Sequence, residues 1–286
     1  MLSHVAIPYP IPFLAGGGRS GWGGLERNLV FGLHAVVDAA EIPCQWEKGK
    51  GEAAIAEVTA EEAQQLALRR ARADAVAKVA GVEIQATTLV RDATLAGQFI
   101  RTLLQGYIIK EKTTWGEPGV FREGPDKPPI ILYRVEVEAC VIPQREGRDS
   151  YFTVKADLNK RVFVEGEKAD LKIRCTRDCY LTIFNLAADD SSHILLPNDY
   201  QKQEILKADQ ELTFPPPGMA LEMVTLPRYS RSTEAFLVVA TKKPFDFRTA
   251  IGKTEKISIP ELSSALLRLA PSERVEKLLV YEMRSK

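Results

Sequence analysis

At 286 residues, with 45% apolar and 27% charged side chains, the chain has an ordinary globular balance and enough length for two domains. Lysine plus arginine (38) equals aspartate plus glutamate (38), so no net field draws a polyanion, and no basic run offers a nucleic-acid groove. The three histidines, His4, His34 and His193, lie in unlike segments without cysteine or carboxylate at ligand spacing, so no metal set and no cofactor motif is in view.

Residues 1–45 read as an irregular arm or a signal-like segment. Pro8, Pro10 and Pro12 precede Gly16-Gly17-Gly18, which suits neither helix nor strand. After Arg19 and Arg27 comes the short apolar stretch Leu29–Val37, then Asp38-Ala39-Ala40, the order of a secretory signal cut after Ala39. The alternative is a helix packing Leu29, Leu33, Val36 and Val37 on the first domain. No apolar run is long enough to span a bilayer, so no transmembrane helix is expected.

Residues 46–142 form the first module. Gly51–Val58 alternates as a strand, and Thr59 with Glu62 spells a capping box. In the helix that follows, Ala63, Ala67, Ala71, Ala75 and Val79 recur every fourth residue, a small-residue stripe suited to lying close on a sheet. Gln64, Arg69 and Arg72 read as outward-facing. A second helix is expected over Leu89–Leu104, then a strand over Tyr107–Thr113 and a polar loop over 116–129. In the next strand Tyr133, Val135, Val137, Ala139 and Val141 share one face, and Arg134, Glu136 and Glu138 take the other. The set predicts an α+β unit: an antiparallel sheet packed with an Ala-rich helix pair, its far face wet.

The polar segment 143–149 reads as a linker. Residues 150–286 then show short strands at turn-punctuated intervals: Tyr151–Ala156, Arg161–Val164, Ala169–Cys175, Tyr180–Leu186, His193–Leu196, Glu211–Phe214, Leu221–Leu226 and Phe236–Ala240. This predicts a mainly β, jelly-roll-like sandwich, with one helix over Leu262–Leu269 and a last strand near Leu278–Met283.

Two resemblances follow from particular residues. Trp46, Gly51-Glu52-Ala53-Ala54-Ile55, the Ala67/Arg70/Ala71/Arg72/Ala75 helix, Gly106-Tyr107-Ile108 and Tyr133–Val137 make residues 46–142 resemble the N-terminal domain of flagellar assembly protein T and related small outer-membrane lipoproteins. Val164–Glu167, Tyr180–Leu186, Leu195-Leu196-Pro197-Asn198-Asp199, Ile205 and Phe214-Pro215 make residues 160–240 resemble the bacterial family known as domain of unknown function 4384. One departure stands out: Asp189-Asp190-Ser191-Ser192 occupies the turn where that family carries glycine. The second resemblance implies no known chemistry, and an association with envelope or signalling modules.

No catalytic set emerges. The Gly16–Gly24 run lacks a phosphate-loop lysine, and Gly252-Lys253-Thr254 has Phe247 where the first glycine is required. Adjacent Asp189 and Asp190 read as a solvated hairpin turn rather than a metal site. Cys175 and Cys179 flank Thr176-Arg177-Asp178 as if at the mouth of a hairpin, which would set their thiols face to face for a disulfide. Cys44 with Cys140 is the less favoured second pair, and four reduced thiols are the alternative. The expectation is a non-enzymatic bacterial cell-envelope protein, periplasmic or outer-membrane associated, that binds or assembles with a protein partner; a homo-oligomer stays open. The competing readings are a periplasmic hydrolase with scattered carboxylates and a cytoplasmic accessory protein.

Overall fold

The computed structural model describes residues 43–55, 58–81, 105–122, 124, 129–144, 147–252 and 256–286. The expected signal-like segment before residue 43, the helix over 89–104, and Lys253-Thr254 lie outside the described residues.

The first unit is built on β1 (Gln45–Ala54), β2 (Gly106–Trp115), β3 (Gly119–Phe121) and β4 (Ile130–Pro143). They form an antiparallel sheet of order β1-β4-β2, with β3 also on β4. Helix α1 (Ala60–Ala80) covers one face; its capping box of Thr59 and Glu62 forms as the sequence predicts, and Gly81, at φ 66°, closes it. Strand β1 starts six residues before the expected Gly51. Its inward positions hold Gly49 and Gly51, so the apolar alternation that would have revealed it is missing. Those glycines seat the helix. A Cβ at Gly49 would overlap the Ala71 carbonyl and stand 2.7 Å from the Ala75 nitrogen, and one at Gly51 would overlap the Ala67 carbonyl and stand 2.6 Å from the Ala71 nitrogen. The alanine stripe thus packs backbone against backbone. The helix also closes the free edge of β1. Lys50 N–H donates to Asp74 Oδ2 (3.0 Å), Lys78 Nζ donates to the Lys48 carbonyl (2.7 Å), and Arg70 donates to the Glu52 carbonyl. On the wet face, Lys48 and Lys50 stand opposite Glu138 and Glu136.

The second unit is a β-sandwich. Its strands are β5 (Val154–Leu158), β6 (Val162–Val164), β7 (Lys168–Ala169), β8 (Leu171–Cys175), β9 (Cys179–Leu186), β10 (Ser192–Leu196), β11 (Ile205–Leu206), β12 (Glu211–Phe214), β13 (Leu221–Glu222), β14 (Arg231–Thr241) and β15 (Arg274–Arg284). A six-stranded sheet runs β10-β9-β14-β15-β6, with β11 also on β9; a three-stranded sheet, β12-β8-β5, and a pair, β13-β7, complete the unit. Helices α2 (Phe247–Ile251) and α3 (Ile259–Leu267) follow β14. Helix α3 begins three residues before the expected Leu262, on a second capping box of Ser258 and Glu261.

The six-stranded sheet is buried on both faces. Ile183, Phe236, Val238, Leu279 and Met283 meet Ile173, Leu171 and Phe214 in the sandwich core. From the opposite face Phe184, Leu186, Leu237 and Val239 join Ile259 and Leu262 of α3, and Ala63, Leu66, Tyr107 and Val137 of the first unit, in one apolar cluster.

Candidate functional site

A cavity of about 280 Å³ opens between the six-stranded sheet and the segment 214–226. Leu195, Phe214, Met219, Met223 and Phe236 are among its walls, while Asn185, His193, Glu234 and Tyr281 give it polar ground. Strand pairing places these polar groups. Glu234 on β14 stands opposite Tyr281 on β15, Asn185 on β9 stands opposite Phe236, and His193 on β10 stands opposite Asn185. Alternation puts all of them on the sandwich face.

Glu234 is 3% exposed. Ser232 Oγ donates to its Oε1 (3.1 Å), and Tyr281 Oη lies 3.0 Å from its Oε2 and 2.7 Å from Asn185 Oδ1. The phenol has a single proton, which cannot serve two acceptors. A protonated Glu234 resolves this by donating to Tyr281 Oη, which donates to Asn185 Oδ1; an Asn185 amide turned over to donate to the phenol resolves it too. Burial pushes the Glu234 carboxyl up, against the lowering effect of hydrogen bonds from Tyr281, Ser232 and Asn185 and of the Arg69 charge. Burial also pushes Tyr281 well above its ordinary value, with the neighbouring Glu234 adding to the rise.

Other buried carboxylates have stronger donors. Asp190 takes Arg69 Nε (2.6 Å) and an Arg72 terminal nitrogen (2.6 Å); Glu111 takes Arg72 Nε (2.9 Å). Glu276 takes Arg274 Nε (2.5 Å) and Arg148 (2.8 Å). Glu62 accepts from the backbone N–H groups of Thr59 (2.7 Å), Ser230 (2.8 Å) and Arg231 (3.0 Å). Glu234 is bonded by the uncharged side chains of Ser232, Tyr281 and Asn185.

These contacts correct two expectations. Arg69 and Arg72 do not face outward: they are buried between α1 and the β9–β10 hairpin, where Arg69 also donates to the carbonyls of Ala187, Ala188 and Thr233. The Asp189-Asp190 turn is accordingly not a solvated one, because the Asp190 side chain, on a residue at φ 61°, is drawn in between the two guanidinium groups. For Arg72, burial pulls downward, but Glu111 and Asp190 outweigh it and the net shift is upward. Asp189 does pair outward, with Lys256 at 3.0 Å.

Cys175 and Cys179 are fully buried, with their Sγ atoms 2.8 Å apart. Thr176–Asp178 is an arch between two sheets rather than the expected hairpin tip. Strands β5 and β12 occupy both edges of β8, so β9 has no edge there to pair with. The hydrogen bond from Cys179 lowers the Cys175 thiol, and Cys179, keeping the shared proton, is raised. Cys44 and Cys140, the pair ranked second from sequence, stand at disulfide distance, their Cα atoms 5.4 Å apart.

The sequence treated His193 as incidental and passed over Glu234, Asn185 and Tyr281. A glutamate opening the apolar run Ala235–Ala240 was the available signal, but which groups it would face depended on register. Among the described residues no group of three or more His, Cys, Asp or Glu side chains is placed to hold a metal, and none of their helices is long and apolar enough to cross a membrane.

No curated protein matches the chain. Residues 162–244, which carry Asn185, His193, Glu234 and most of the cavity wall but not Tyr281, match the family described as Domain of unknown function (DUF4384).

Proposed function

We propose that this chain is a non-enzymatic binding or assembly protein of the bacterial cell envelope, acting through protein–protein contacts with the β-sandwich as its recognition unit. The observation that carries this reading is the largely apolar cavity, whose lining includes Met219 and Val224, exposed by 38% and 42%. A concave site with apolar walls and a few convergent polar groups suits an inserted side chain. Hydrolysis would call for a base in contact with a nucleophile. Among the described residues the serine bonded to Glu234, Ser232, does not line the cavity, and no hydrogen bond joins Glu234 to His193.

Envelope placement draws support from Cys44 and Cys140, since disulfides persist in oxidising compartments, and from the Arg27, Leu29–Val37, Ala39 order. A docking role for the first unit rests on the resemblance of residues 46–142 to the N-terminal domain of flagellar assembly protein T, and on that alone. A photo-reactive side chain at Met219 or Val224, introduced into the protein in its own host, tests the reading. The expected result is discrete protein adducts in the envelope fraction, absent when the same group replaces exposed Tyr151, which does not line the cavity. Absence of adducts from both cavity positions, or recovery of the protein in the cytosol alone, overturns it.

A further inference from the structure

We propose that the cavity receives a primary ammonium group on an alkyl chain, which in a protein partner is a lysine side chain, with Glu234 as its counter-ion. The inference rests on the recognition reading above and names the chemistry the partner would present.

Charge selects the ligand. Glu222 and Glu234 line the cavity and no lysine or arginine does, so an anionic head would find no fixed positive charge there. Glu234 differs from Asp190, Glu111 and Glu276, each already held by guanidinium groups, in that its hydrogen bonds come from the uncharged side chains of Ser232, Tyr281 and Asn185. Buried carboxylates need a cation or several N–H donors to stay ionised, and here the pull of Arg69 and the one amide of Asn185 do not offset burial. A cavity at such a carboxyl leaves room for the missing cation to come from outside. On binding, the Glu234 proton leaves to solvent and the ammonium donates to the carboxylate. Tyr281 then donates to Glu234 instead of Asn185, whose side-chain amide can turn over to donate to the phenol oxygen. The methylene chain would lie along Phe214, Met219, Met223 and Phe236, where thioether and ring surfaces accept an alkyl chain without polar loss.

The test titrates the full chain with hexylamine, 1-hexanol and hexanoate, three probes of similar length and different head, and with N-acetyl-lysine methylamide. It compares the wild type with Glu234→Gln, which keeps the shape and removes the charge. Hexylamine should bind the wild type about tenfold or more tighter than hexanol, with hexanoate weakest. The variant should lose that advantage while binding hexanol unchanged, which also certifies an intact cavity. Equal binding of hexylamine and hexanol by the wild type overturns the proposal, as does hexylamine binding indifferent to Glu234→Gln. If the variant does not fold, the three-probe comparison on the wild type decides. The lysine amide separates the sources: binding assigns a protein lysine, and failure beside bound hexylamine assigns a free amine and refutes the lysine. Protein cross-links without amine binding end this inference and leave the recognition reading intact; amine binding without cross-links does the reverse.

Discussion

Glu234 makes a carboxyl's environment measurable. Below the ordinary carboxylate range both folded and unfolded chains carry its proton, and its burial is harmless. As pH rises past that range the unfolded chain releases the proton while the folded chain, its carboxyl pushed up by burial, retains it. Stability is therefore lost with rising pH, by up to about 1.4 kcal/mol per pH unit, until folded Glu234 ionises. Asp149 and Asp178, and Asp189 despite its partial burial, are held low by lysine and hydrogen-bond partners; they act oppositely and weaken the fold as pH falls. They are common to both proteins when the wild type is compared with Glu234→Gln. Urea midpoints from pH 4 to 8 should show the variant gaining on the wild type as pH rises, and parallel curves would refute the neutral buried acid. Asp190 behaves as the contrary case. Asp190→Asn removes the buried carboxylate that Arg69 and Arg72 share and leaves Glu111 to Arg72, so a cost on the order of 3 kcal/mol is expected in the same assay. A change below about 1 kcal/mol would mean that the arginines find other partners.

At the scale of elements, the fold was legible wherever side chains signalled by polarity. The sandwich strands follow their alternation, Glu211–Phe214 to the residue, and Thr59 with Glu62 marked the start of α1. What stayed hidden was signalled by absence of a side chain or by charge turned inward. Strand β1 carries glycine at inward positions 49 and 51 because α1 needs its backbone bare there, and Arg69 and Arg72 look like solvent residues until the β9–β10 hairpin is placed beside them. The Ser258–Glu261 box was readable, with Pro260 in the first turn, but the helical pattern was taken up only at Leu262. The glycine seat makes a sharp prediction. Gly51→Ala forces a methyl into the α1 backbone, which no rotamer change relieves, and should cost about 1–3 kcal/mol or more. Gly116→Ala places its methyl at an ordinary 3.6 Å from the Arg134 carbonyl, so chemical denaturation should find it within about 0.5 kcal/mol of wild type. If the two variants cost the same, α1 does not sit on β1 as described.

Across the whole molecule, two apolar clusters divide the work unevenly. The sandwich core, from Phe152 to Met283, is closed by residues of the second unit alone. The other cluster is shared, and so are polar ties across the same boundary: Arg274 donates to Tyr107 Oη at 2.6 Å, and Glu62 accepts from Ser230 and Arg231. Sequence reading drew the 143–149 boundary from local polarity, and polarity carries no record of which surfaces meet once the chain folds. A fragment of residues 150–286 should fold cooperatively, because its own core is complete. It should melt below the intact protein, because Phe184, Leu186, Leu237, Ile259 and Leu262 lose their cover and each uncovered side chain forfeits part of its burial free energy. The bared face should bind a hydrophobic dye that the intact chain excludes. The intact chain should melt in one transition, since α1 and β2 cannot leave without uncovering the sheet. Calorimetry of both proteins decides between these pictures. An unfolded fragment would show that the sandwich core is insufficient alone. A fragment as stable as the whole would show that the shared cluster, with Arg274–Tyr107 and Glu62–Ser230 beside it, holds no free energy of folding.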